Sequence, residues 1–356
     1  MVTPSPKFLK FFRRLVLVCT VVAILSLVGI LWGTTHESTP VPNICGETEI
    51  VPAGKIEQTY LPTNSGLKSK IIRTLTMGQD GLWIGYAGGV GVGHFDGKFW
   101  RFCQKTAHVN SIALDPKGLP VVATDGEGVW YFNGSTWQQY VGLQSPLTYD
   151  AVFHEGKLYV GTWEGVAEFD GKIWTVPYDA GKNIFQNNID AMAFGPNGDI
   201  WFGSIDKGLT WYHPSAAFPW TAVTSPEYNG AGALLELGGD NIRDIAINDG
   251  NIVWIVSDGG PSSVTTYDYQ TGVWAIISPP DNRGQDIAFD FYGRPWVATK
   301  GGVYFLDNGV WNQFSHLPAL ALAFGCTGCN FGPKVLFIAY DGLGLGEEIV
   351  PAPISK

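Results

Sequence analysis

An all-β fold, a seven-bladed β-propeller of four-stranded antiparallel blades preceded by one N-terminal transmembrane helix, is predicted by three observations. A hairpin motif returns along the chain at near-regular spacing, the composition favours turns and aromatics, and a single apolar run lies near the start. Among 356 residues there are 46 Gly, 22 Pro, 14 Trp and 14 Tyr, with 15% charged. Helical proteins draw on Ala, Leu, Glu and Lys, whereas this mixture suits many short strands joined by tight turns. The net charge is −10 and no basic cluster follows the first fourteen residues. Binding the phosphate backbone needs clustered Lys and Arg, so no nucleic acid partner is expected.

The elements follow in chain order. Residues 1–14 carry Lys7, Lys10, Arg13 and Arg14 and are expected to form a basic cytoplasmic tail. Residues 15–32 are apolar, interrupted mildly by Cys19, Thr20, Ser26 and Gly29. At helical rise this run gives about 27 Å, enough to cross the hydrocarbon core as a transmembrane signal anchor. Positive charge stays inside, so the rest of the chain is expected outside the cytoplasm, in a bacterial periplasm or at the cell surface. A cleaved signal peptide is the competitor, but Leu31-Trp32-Gly33-Thr34 lacks an Ala-x-Ala-like site. Residues 33–54, with Pro40, Pro42 and Pro52, read as an extracytoplasmic linker.

The propeller is expected over 55–350, with 351–356 as a C-terminal tail. Its clearest motif is an aromatic, Asp or Asn, Gly, two residues and Trp: FDGKFW at 95–100, FNGSTW at 132–137 and FDGKIW at 169–174, with Trp100, Trp137 and Trp174 each 37 residues apart. Asp-Gly or Asn-Gly supplies the positive-φ turn of a hairpin, and the aromatics flank it on paired strands. A second motif leads each unit, as in Gly81-Leu-Trp83-Ile-Gly85, Gly198-Asp-Ile-Trp201-Phe-Gly203 and Gly293-Arg-Pro-Trp296-Val-Ala298. From Trp83 to Phe337, a weaker seventh copy, the mean interval is about 42 residues, the length of a four-stranded blade. In each unit strand A is small and apolar (Ile189-Asp-Ala-Met-Ala-Phe194; Gln285-Asp-Ile-Ala-Phe289), strand B carries the Trp, strand C ends in the Asp-Gly turn, and strand D opens with the next Trp. Strand A is innermost, and the large aromatics fill the gaps between blades. The segment 211–241, with Phe218, Trp220 and Tyr228, reads as a longer insertion between the fourth and fifth units.

The seventh unit has no Trp-bearing D strand. A ring must hide its edges, so residues 55–61 are expected to supply the last blade's outer strand. The linker would then arrive at the face opposite the D–A and B–C loops, turning those loops away from the membrane.

The motif Asp/Asn-x-x-Gly-x-Leu/Ile-Trp-Ile/Phe-Gly, followed by Gly-Gly-Leu/Val and Phe-Asp-Gly-x-x-Trp, resembles the two-component regulator propeller repeat over about 71–345. The resemblance implies the propeller fold and a periplasmic sensor domain of the kind that precedes a membrane span and a histidine kinase. Here the span is N-terminal, so the chain is expected to bind or sense without a signalling output domain of its own. A second resemblance is to streptogramin lyase-like propellers, which use metal-binding acids and a catalytic His. Of six His, only His108 and His316 fall in D–A connections, and no His–acid pair stands at fixed spacing.

Loops carry function on rigid scaffolds. The B–C loops hold Asp125, Glu127, Trp163, Glu164, Asp206, Lys207, Asp258, Lys300 and Asp341, which together form the candidate ligand-binding set at the funnel mouth. Acids beside an exposed Trp suit a sugar, a peptide or a cation, and a protein, glycan or peptide is the ligand expected at this face. The same residue types are also ordinary turn formers. The leading reading is a membrane-anchored binding or sensing module; the alternative is a lyase or hydrolase using the acids and a metal ion. No catalytic residue, cofactor or metal is assigned. Outside the apolar run lie Cys45, Cys103, Cys326 and Cys329; the lone CxxC at 326–329 lacks the second ligand pair of a zinc site, leaving disulfides or free thiols.

Overall fold

The computed structural model describes residues 47–50, 58–104, 107–225, 237–325, 331–332 and 334–353. They form seven antiparallel sheets. Blades 1 to 6 begin with the inner strands Ile72–Met77, His108–Leu114, Thr148–His154, Ile189–Phe194, Ile242–Ile247 and Gly284–Phe289, and each adds strands B, C and D outward in chain order. Blade 7 takes Ala319–Phe324, Val335–Tyr340 and Gly344–Ile349 as strands A to C. Its inner strand contacts that of blade 1, closing the ring.

The aromatics make the wedges between blades. Trp83, Trp201 and Trp296 are wholly buried. Trp83 packs on Val109 and Val122 of blade 2, Trp201 on Ile242 and Ile245 of blade 5, and Trp296 on Leu322 and Leu336 of blade 7. A flat sheet packed on its neighbour around a circle leaves a gap that widens outward, and a large flat ring fills it.

The outer strand of blade 7 is Gln58–Tyr60, whose register runs Gln58↔Glu347, Thr59↔Gly346 and Tyr60↔Leu345. Tyr60 is buried edge-on against Phe95 and Trp100, at 5.4 and 5.0 Å, so the closing strand also ties blade 7 to blade 1. Within the stretch read as a linker, Glu47–Ile50 forms a fifth strand on blade 1, antiparallel to Phe99–Gln104. Glu47 lies opposite Phe102 and Ile50 opposite Phe99, so this strand runs down the rim from the D–A/B–C side. The closing strand Gln58–Tyr60 is entered from the opposite face, as expected, but the strand before it comes down from the D–A/B–C side, so the entry point by itself does not turn those loops away from a membrane.

Cys103 is disulfide-bonded, with its partner outside the described residues. Trp220, read as part of an insertion, opens the outer strand Trp220–Val223 of blade 4. The anchor expected at 15–32 lies outside the described residues, among which no helix is long and apolar enough to cross a membrane.

Candidate functional site

Every inner strand carries the same irregularity near its start. The pairing of strand A with strand B skips one residue between Ile72 and Thr74, Val109 and Ser111, Thr148 and Asp150, Ile189 and Ala191, Ile242 and Asp244, Gly284 and Asp286, and Ala319 and Ala321. Such a bulge re-aims side chains and breaks the alternation of a regular strand. The skipped residues are Arg73, Asn110, Tyr149, Asp190, Arg243, Gln285 and Leu320, and all line one axial cavity of about 110 Å³. The residue after each also lines it, including Ser111, Asp150, Asp244 and Asp286. Because strand A starts at the D–A connection, this ring stands toward the D–A/B–C face.

The cavity holds both signs of charge. Arg243 Nη1 donates to Asp190 Oδ2 at 2.8 Å. Burial, and then the Arg243 charge, hold the Arg73 guanidinium below the usual arginine value, with Asp190 and Asp286 opposing. Three acids clamp neighbouring blades. Asp150 accepts from the Ser111 hydroxyl at 3.0 Å and from the Met192 amide at 2.9 Å; Asp244 accepts from the Ile287 amide at 2.9 Å and Asp286 from the Leu322 amide at 2.6 Å. Burial raises both Asp244 and Asp286, and a hydrogen bond between the two carboxyls raises Asp244 further while it lowers Asp286.

Burial pushes the Asp150 carboxyl up from 3.8 to about 7, with the Asp244 charge adding and three hydrogen bonds opposing. The folded state therefore holds a proton that the unfolded chain releases earlier. The stability this gives is whole below the unfolded value near 3.8 and is lost as pH rises through about 7. Urea unfolding at pH 5 and pH 8 is expected to show a loss on the order of 2–4 kcal/mol attributable to this group. Asp150→Asn should flatten that decline; an equal slope in the variant would refute the assignment.

None of the nine loop residues expected at the site lines the cavity. They stand around its rim, in B–C turns that a repeated bond closes. The last hydroxyl of strand B donates to a carbonyl at the start of strand C: Thr124 to Gly128, Thr162 to Gly165, Ser204 to Gly208 and Thr299 to Gly302, at 2.7 to 2.9 Å. The side chains between are left facing outward. Trp163 is 56% exposed, and Asp125, Glu127, Glu164, Asp206, Lys300 and Asp341 are exposed. Lys300 Nζ pairs with Asp258 Oδ2 at 2.6 Å, linking the turns of blades 6 and 5. Lys207 is half-buried, its amide bonded to Ser204 Oγ. Asp125 stands opposite His108 in register; burial and Arg73 lower the His108 value while Asp125 raises it. No group of three His, Cys, Asp or Glu arranged to hold a metal ion occurs among the described residues.

The cavity residues Arg73, Tyr149, Asp150, Asp190, Arg243, Asp244 and Asp286 were missed by the loop-centred reading. Their signal was one or two charged or polar residues at the second and third positions of strand A, as in Ile189-Asp190 and Ile242-Arg243-Asp244, in segments read as small and apolar.

Propeller geometry of this kind defines a class, and solved structures give it company. The chain aligns over 84% of its length, at 18% identity and a TM-score of 0.68, with an extracellular domain assigned to the hybrid two component system BT3049 of B. thetaiotaomicron, of which it covers 41%. It aligns at 12% identity and a TM-score of 0.63 with a catalytically inactive virginiamycin B lyase from Staphylococcus aureus solved with quinupristin, covering 86% of this chain and all of that one, 100%. PorZ, a surface component of the type-IX secretion system of Porphyromonas gingivalis, aligns at 18% identity and a TM-score of 0.59 over 80% of this chain and 47% of its own. The first two are of the two groups that the repeat motifs resemble, and at these identities the likeness shows the fold. The chain thus spans about 41% of the sensor-system chain it matches. No family model matches the sequence. No curated protein matches it either.

Proposed function

We propose that this chain is a membrane-anchored, extracytoplasmic binding or sensing module, which takes a protein, glycan or peptide ligand on its D–A/B–C face. The observation that carries the reading is the polar axial cavity, to which every blade contributes its bulged residue beneath a rim of acids and the exposed Trp163. Concave sites with a few convergent polar groups are the usual seats of ligands. The nine rim residues are its outer contacts, and the apolar run at 15–32, flanked by basic residues, is its anchor. The shared fold with an extracellular sensor-system domain supports the same placement.

A thermal-shift screen of the full chain in detergent against glycans and peptides tests the proposal. A hit should raise the melting temperature, and its effect should fall at least tenfold with Tyr149→Ala or with Trp163→Ala plus Glu164→Ala. Hits indifferent to both variants, or an empty screen together with a pull-down from native membranes that recovers no partner, would refute it.

A further inference from the structure

We infer that Arg73 and Arg243 together form a receptor for the carboxylate group of a singly charged ligand at the mouth of the axial cavity. The inference rests on the binding-module reading and names the chemistry of its site.

Two unusual guanidinium groups carry it. Among the described residues no hydrogen bond or ion pair reaches that of Arg73, although its side chain lines the cavity and is half-buried. Arg243 has its Nη1 on Asp190, but its Nε is buried and has no hydrogen-bond partner. A buried donor left unmatched is costly, and a buried cation more so. The two like charges are also close enough to oppose each other electrostatically. An anion between them would answer all three costs, and a guanidinium fork matches a carboxylate bidentately.

Charge selects among anions. Two guanidiniums less the Asp190 carboxylate leave one positive charge at the bulged level, enough for a monoanion. The next level inward holds Asp150, Asp244 and Asp286, against which a dianion would be repelled. The cavity, at about 110 Å³, accommodates a carboxylate group with little else, so the remainder of the ligand would extend toward the rim.

The test uses acetate on the full chain, replacing chloride at constant ionic strength, with melting temperature as the readout and inorganic phosphate as the comparison. Acetate should give a saturable rise in the wild type, an apparent affinity at least tenfold weaker in Arg73→Gln, and an intermediate value in Arg73→Lys, which keeps the charge and loses the fork. Phosphate should bind more weakly than acetate at pH 7.5. Without any acetate, Arg73→Gln should melt at or above the wild type, because it removes an unpaired, half-buried charge. A variant that melts lower or fails to fold would mark Arg73 as a structural counter-ion of the inner acids and overturn the inference. So would an unsaturable or absent acetate response, an equal response in Arg73→Gln, or tighter binding of phosphate. If acetate fails while the glycan and peptide screen finds a cavity-dependent hit, only the carboxylate assignment falls.

Discussion

Deleting residues 50–62 is expected to abolish cooperative unfolding and to leave a soluble fraction, if any, with no sharp thermal transition by circular dichroism. The deletion removes the strand Gln58–Tyr60 and bares the long edge of Gly344–Ile349. An unpaired edge beside an apolar face templates association with another chain, and here it also opens the ring between blades 7 and 1. Tyr60→Ala isolates the packing part of the same closure. Its ring is buried between blades against Phe95 and Trp100, and its hydroxyl donates to the Glu347 carboxylate. Large-to-small truncation of a buried aromatic costs about 3–5 kcal/mol, so urea denaturation should show a loss of that order. A deletion variant with the wild-type melting temperature would show that the ring does not depend on this strand.

Asp199→Ala is expected to lower stability by about 3–5 kcal/mol, because it strands several buried donors at once. Asp199 is fully buried and accepts from Trp211 Nε1 at 2.8 Å, from the Tyr269 hydroxyl at 2.9 Å and from His213 Nδ1. Tyr269 belongs to blade 5, and its hydroxyl in turn accepts from Trp201 Nε1 at 2.8 Å, so one carboxylate of blade 4 joins the two blades. Burial and the Asp199 charge keep the Tyr269 hydroxyl protonated. Asp199→Asn retains one acceptor oxygen and should lose less than the Ala variant. Asn also keeps the volume of Asp, so an Asn variant as stable as the wild type beside a destabilised Ala variant would mean that packing volume, not the hydrogen bonds, sets the cost.

These two sites differ in how far they could be read in advance. The closing strand was legible because the seventh unit lacks the Trp-bearing D strand that the others own, and a ring has one place to find it. Asp199 could be read as the turn residue of Gly198-Asp-Ile-Trp201, but Tyr269 lies 70 residues away and nothing local announces it. The loop residues from Asp125 to Asp341 share the B–C end of the ring, since turn chemistry fixes which loops lie at one end. The ring of Arg73, Asp190 and Arg243 was overlooked because those residues sit inside strands whose neighbours are apolar.

For this protein the sequence by itself determined the blades. Asp-Gly and Asn-Gly turns fix hairpins locally, the aromatic spacing repeats them, and the count of repeats, with one strand missing, sets a ring closed by its own N-terminal segment. Only the tertiary structure decided the cavity. Each blade gives it two or three residues, separated by some forty positions in the chain, and their convergence exists only once the ring has closed. The bulge completes the concealment. A regular strand turns alternate residues to one face, so alternation assigns Arg73 and Thr74, or Arg243 and Asp244, to opposite faces, whereas the extra residue lets both members of each pair line the axis.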